Sequence, residues 1–208
     1  MNKYITELIG TFFLVLTIGL TVTGGSTLAA LAIGTSLMVM VYMGGHISGA
    51  HYNPAVSLAV WMRGKIETVE AAKYMVFQVV GAILAGYATI WFAGEPLTIT
   101  PAIGVSSLQA LGVEILFTFA LALVVLQTAT NDATAGNSYY GLAIGFTIFM
   151  GAAAGGPISG GAFNPAVGLG PAIVDAVTGG SSISSVWIYL VGPFTGGALA
   201  AVVYKMQS

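Results

Sequence analysis

Gly44-Gly45-His46-Ile47-Ser48-Gly49-Ala50-His51-Tyr52-Asn53-Pro54-Ala55-Val56 returns further along the chain as Gly155-Gly156-Pro157-Ile158-Ser159-Gly160-Gly161-Ala162-Phe163-Asn164-Pro165-Ala166-Val167. The two stretches are offset by 111 residues in a chain of 208. A repeat at about half the chain length divides the protein into two related halves. Each copy is a glycine-rich break followed by Asn-Pro-Ala, set among apolar runs. In membrane proteins, paired interrupted segments at matching places in two halves point to a substrate pathway.

The surrounding composition says where such a chain resides. It is 57% hydrophobic and 6% charged, against about 25% charged for an ordinary soluble domain. Such a chain cannot cover a water-facing surface, so a bilayer is its solvent. A formal charge of −2 is too small to suggest nucleic acid. The absence of cysteine excludes disulfides and thiolate metal sites. No His/Asp/Glu group has metal-ligand spacing and no nucleophile stands beside a base, so neither a metal, a cofactor nor an enzymatic activity is expected. The N-terminus has Lys3 and then Glu7 inside an apolar run, without a persuasive cleavage site, and reads as a retained first span.

A spanning helix needs about 20 mostly apolar residues. Six are expected, at 4–24, 28–45, 69–93, 107–130, 139–155 and 185–205. Two shorter apolar pieces, at 53–63 and 164–176, follow the Asn-Pro-Ala segments and read as half-helices in re-entrant loops. Such loops are tolerated at membrane depth only where protein buries them or water lines them. With the N-terminus inside, Lys3, Arg63, Lys65, Lys73 and Lys205 all fall on the cytoplasmic side, as the positive-inside rule requires. Three spans per half make the repeat inverted, so the two loops come in from opposite faces. Gly141/Gly145, Gly151/Gly155 and Gly192/Gly196 have the spacing of close helix packing.

The repeat reaches the first helix of each half, where Glu7-Leu8-Ile9-Gly10-Thr11-Phe12 matches Glu114-Ile115-Leu116-Phe117-Thr118-Phe119. A carboxylate at mid-span costs about 2.5–3.5 kcal/mol on insertion scales, so it faces the protein interior or water. One role is an ion relay. The other, favoured by one carboxylate per loop, is acceptor for the N–H groups of a re-entrant loop. Asn is a strong N-cap and Pro suits the first helical position, so Asn53-Pro54-Ala55 and Asn164-Pro165-Ala166 should each start a short helix. Two positive helix ends would then meet near the midplane. The Asn carboxamides would donate there, with loop carbonyls as acceptors on either side.

With these residues in view, the sequence resembles an aquaporin of the major intrinsic protein family. The likeness covers essentially the whole chain, through Glu-x-x-Gly-Thr-Phe at Glu7, His46 to Val56, and Gly160 to Ala166 with Gly170-Pro171-Ala172. The resemblance implies an all-α membrane protein with six transmembrane helices, two re-entrant half-helices and an inverted repeat. It further implies a single membrane channel domain over 1–208, with half-repeats at about 1–100 and 107–208. Each subunit of a homotetramer would hold one pore, transporting water and small uncharged solutes passively. Pore-facing carbonyls are implied at Gly49, Ala50, His51, Tyr52, Gly160, Gly161 and Ala162. The chain would be a multi-pass membrane protein with both termini cytoplasmic, in a prokaryotic inner (plasma) membrane.

The chain departs from the family at one place that matters. Most members carry Arg three residues after the second motif Asn, where this chain has Val167. The resemblance places Ile33, Ala152 and Gly161 around it as the rest of the outer constriction. None of the four side chains is polar, so the expectation is a wide apolar constriction that excludes anions and larger neutral solutes less strictly. A neighbouring bulky side chain refilling the gap, leaving only water to pass, is the competing expectation. A glycerol-type or metalloid and arsenical facilitator is an alternative, as are an ion-coupled secondary transporter and a non-conducting membrane protein. His51 reads either as a pH gate or as a simple lining residue, and His46 as a buried loop anchor. Asp132 and Asp175 are expected in solvated loops. Tyr139, Tyr140, Trp187 and Tyr189 are expected as interfacial anchors.

Overall fold

The computed structural model describes residues 1–207. Among them the chain forms α1 (Asn2–Thr23), α2 (Ala29–Ser48), α3 (Pro54–Met62), α4 (Thr68–Ala93), α5 (Ser107–Ala129), α6 (Tyr140–Ala154), α7 (Gly156–Ser159), α8 (Pro165–Val177) and α9 (Val186–Gln207). The fold is all-helical, with no strand among the described residues. Five helices are long and apolar enough to cross a bilayer: α1, α2, α4, α5 and the α9 segment.

The span expected at 139–155 is the exception. α6 has 15 residues, about 22 Å at the usual rise, short of a hydrocarbon core of about 30 Å. The repeat explains the difference. The residue of α2 that corresponds to Pro157 is His46, and α2 runs unbroken through it to Ser48. Pro157 has no N–H and its ring collides with the carbonyl four residues back. The helix therefore breaks at Gly155 and resumes as α7, reaching Ser159, the partner of Ser48.

Sequence signals set the other boundaries. Ser106 and Gln109 close a capping box at the start of α5. Asn53 and Asn164 cap α3 and α8, each carboxamide oxygen accepting from the N–H two residues on at 2.9 Å, with Pro in the first turn of each helix. α2 and α7 end on Gly49 and Gly160 at φ +89° and +92°, the left-handed turn that glycine adopts without steric cost.

Packing follows the repeat. α1 lies against α4 and α2, and α5 correspondingly against α9 and α6. α2 and α6 meet across the two halves on Gly34 and Gly145, corresponding positions. A Cβ on Gly34 would lie 2.7 Å from the Gly145 carbonyl, and one on Gly145 would lie 2.5 Å from that of Gly34. Each half-helix crosses to the other half, α3 onto α9 and α8 onto α4. The glycine pairs of α6 and α9 are contact points: Gly141 against Tyr42, Gly192 against Glu114 and Gly196 against the Ile115 carbonyl. Polarity is distributed as a bilayer demands. Glu7, Glu114 and Gln78 are buried, while Phe13, Val76, Trp91 and Leu116 are exposed.

Candidate functional site

The two glycine-rich loops adopt the same backbone. Gly49 and Gly160, Ala50 and Gly161, and Tyr52 and Phe163 all have positive φ at matched positions. For Ala50, Tyr52 and Phe163 that conformation costs on the order of 1–3 kcal/mol each. The buried carboxylates hold it in place. Glu7 Oε1 accepts from Ser48 Oγ at 2.7 Å and the His51 N–H at 2.9 Å, and Oε2 accepts from the Tyr52 N–H at 2.7 Å and Gln78 Nε2 at 2.8 Å. Glu114 Oε1 accepts from Ser159 Oγ at 2.8 Å and the Ala162 N–H at 3.0 Å, and Oε2 from the Phe163 N–H at 2.6 Å. Hydrogen bonds to a charged group contribute about 1.5–3 kcal/mol each, enough to offset the loop strain. Tyr74 and Tyr189 complete the loops, donating through their hydroxyls to the carbonyls of Ser48 and Ser159.

The half-helices meet N-terminus to N-terminus. Asn53 Nδ2 donates to the Phe163 carbonyl, and Asn164 Nδ2 to the Tyr52 carbonyl, each at 2.9 Å. Every loop thus ends by bonding the other's cap, which ties the halves together where both helix dipoles are positive. Among the described residues, the carbonyls of Gly49, Ala50 and His51 and those of Gly160, Gly161 and Ala162 accept no hydrogen bond within the protein. The Tyr52 carbonyl accepts from Asn164 Nδ2 with one of its two lone pairs.

A cavity runs past this junction. Its wall contains Asn53 and Asn164, the residues Ala50, His51, Tyr52, Gly161 and Ala162, and all four expected constriction residues, Ile33, Ala152, Gly161 and Val167. Pro54, Ala55, Pro165 and Ala166 are buried behind the caps. Gly160 packs against Thr100 and Ile99. No charged side chain is among the lining residues. The open space inside the cavity is small, about 20 Å³. Large aliphatic side chains, Leu14, Ile18, Leu37 and Ile148 among them, face it. At Ala50, His51, Val125 and Ile144 the cavity joins a vestibule of about 610 Å³.

Several side chains differ from their sequence reading. His46 is exposed on the last turn of α2, at the vestibule, and anchors nothing. Asp175 is buried at the end of α8, where Oδ2 accepts from the Ser182 N–H and hydroxyl. Tyr189 is buried as a loop tie, not an interfacial anchor. Gln78 and Ser57 belong to the site without any motif that marks them in the sequence. Gln78 bridges Glu7 and Ser57 Oγ, and Ser57 meets His51 Nδ1 at 3.0 Å. A glutamine in an apolar span was the available signal.

An all-helical bilayer protein, with two capped half-helices meeting at a small cavity without charged side chains, has the architecture of a membrane channel. The model of the major intrinsic protein family matches residues 1–204. The chain is 38% identical to aquaporin NIP1-1 of Zea mays, over 99% of this chain and 74% of that protein. It is 36% identical to glycerol uptake facilitator protein-like 6 of Lactiplantibacillus plantarum, over 97% of this chain and 95% of that one. An aquaglyceroporin structure from Plasmodium falciparum superposes with a TM-score of 0.85 at 22% identity, covering 98% of this chain and 95% of that one. The chain belongs to the major intrinsic protein family. It is a membrane channel and not an enzyme.

Proposed function

We propose that the chain passes water and small uncharged solutes along the cavity between Asn53 and Asn164, with Ile33, Ala152, Gly161 and Val167 as its constriction. The observation that carries this reading is the convergence of both cap carboxamides and all four constriction residues on one cavity wall without a charged side chain. The paired helix ends present a positive potential to a cation or hopping proton. Carbonyls and carboxamides offer a neutral solute bonds in place of its hydration. An apolar ring at Val167 puts no fixed cation on the cavity wall and favours molecules with hydrocarbon surface. A small polyol is therefore the preferred solute class beside water, in keeping with the name of the bacterial relative.

An ion-coupled cycle is disfavoured because Glu7 and Glu114 are not on the cavity wall and spend their oxygens on the loops. We further propose a homotetramer in a prokaryotic plasma membrane with both termini cytoplasmic. The gathering of Lys3 and Lys65 at the vestibule supports that orientation. Stopped-flow light scattering on proteoliposomes tests the function. Water flux and glycerol entry above the empty-vesicle rate, both indifferent to membrane voltage, are expected. Flux that follows voltage or a proton gradient would contradict it.

A further inference from the structure

We propose that Ser57 and Gln78 lock His51 in its neutral Nε2–H tautomer, making the imidazole a fixed hydrogen-bond donor where the vestibule meets the lumen. The functional part rests on reading the cavity as the passage; the tautomer does not.

The assignment follows from counting donors and acceptors along one chain of contacts. Glu7 only accepts, so the Gln78 side chain must turn its amide nitrogen toward Oε2, at 2.8 Å. The same nitrogen is 3.0 Å from Ser57 Oγ and donates to it. Gln78 Oε1 is left buried without a partner, a cost the fold bears to keep the amide in this sense. Ser57 Oγ then has one proton to place. Thr11, Thr89 and Thr128 place theirs on the carbonyl four residues back, but Ser57 makes no such bond among the described residues. Its remaining neighbour is His51 Nδ1 at 3.0 Å. Nδ1 is therefore the acceptor, and the ring proton sits on Nε2.

Nε2 has no protein partner and is not among the buried unpartnered atoms, so it faces open space. His51 borders both cavities. Gly49 keeps that space clear, since a Cβ there would stand 3.3 Å from Nε2. Tyr74 holds the ring edge-on, with centroids 5.2 Å apart. A second ring proton would need Nδ1 to donate into a hydroxyl that already receives Gln78 and has nowhere else to send its own hydrogen. The charges nearby are committed elsewhere. Glu7 of α1 serves the loop, Glu70 of α4 pairs with Lys3 at 3.0 Å, and Lys65 pairs with Asp132 at 3.5 Å. Tyr140 of α6 and His46 of α2 complete the titratable groups of the vestibule. Ser57 and Gln78 act as positioning residues, and His51 as the group that meets the solute.

The test is nitrogen NMR of 15N-histidine-labelled protein in lipid. A His46→Gln background leaves His51 as the single imidazole. Spectra are taken from about pH 5 to pH 8, the range in which an unconstrained imidazole changes charge. The expected result is one species throughout, with Nε2 protonated and Nδ1 bare. Ser57→Ala should release it to a tautomer mixture, or to imidazolium at the acid end, while Ser57→Thr keeps the parent spectrum. Water flux in the same range should change less than about twofold in the parent, while Ser57→Ala gains a severalfold acid dependence. An Nδ1-protonated ring in the parent, or imidazolium near neutrality, overturns the proposal whether or not the variants fold. The expected spectrum with no flux at any pH would instead overturn the reading of the cavity as the passage.

Discussion

Val167 lies three residues after the second cap, buried on the cavity wall with Ile33, Ala152 and Gly161. No cationic side chain is among the described lining residues, so the positive potential on the wall is that of the helix ends, about half a charge each. The carboxylates behind the loops decide whether that geometry exists at all. Replacing Glu114 by Gln puts an NH2 group where the Phe163 or Ala162 N–H now finds an acceptor. The buried N–H left over should cost on the order of 2 kcal/mol, seen as a lower midpoint in thermal unfolding followed by circular dichroism in detergent. Glu7→Gln should cost a similar amount, because its amide would also face the Gln78 donor. An unchanged midpoint in both variants would mean that the carboxylates do not hold the loops.

At the scale of elements, the half-helices were legible before any coordinates, because Asn-Pro states a cap and a first turn in two residues. The expected 53–63 and 164–176 became Pro54–Met62 and Pro165–Val177. The break between α6 and α7 was harder to see, since Pro157 lies in a stretch whose counterpart, with His46, stays helical. Pro157→Ala should therefore let the helix run on from Gly155, and amide hydrogen exchange at Gly155 to Ser159 should slow. The crossing of α2 and α6 gives a second prediction. Gly145→Val would drive a side chain into the Gly34 carbonyl, and overpacking of this kind costs about 1–3 kcal/mol. A marked loss of thermal stability is expected, larger than for Gly112→Val, where a Cβ meets nothing.

At the scale of the molecule, the lumen inherits the repeat. Leu14 and Leu121, Ile18 and Val125, Ile33 and Ile144, Leu37 and Ile148, and Val56 and Val167 are corresponding residues, and all ten face one cavity. The candidate loops were readable from the Asn-Pro-Ala positions, and the proposed constriction residues from the family resemblance. The polar chain through Gln78 and Ser57 was not, because it joins residues 71 and 21 positions apart through space. Nor was the small open volume of the cavity, which depends on side-chain directions from several helices. The symmetry predicts that Val56→Arg, at the counterpart position, also suppresses solute entry in the flux assay.

The most direct test is stopped-flow flux through the parent and Val167→Arg, side by side, in water and glycerol gradients. If Val167 and its apolar neighbours form the constriction, the arginine abolishes glycerol entry while water flux survives. Glycerol entry at the parent rate through Val167→Arg would show that the limiting constriction lies elsewhere, and the central claim would fail.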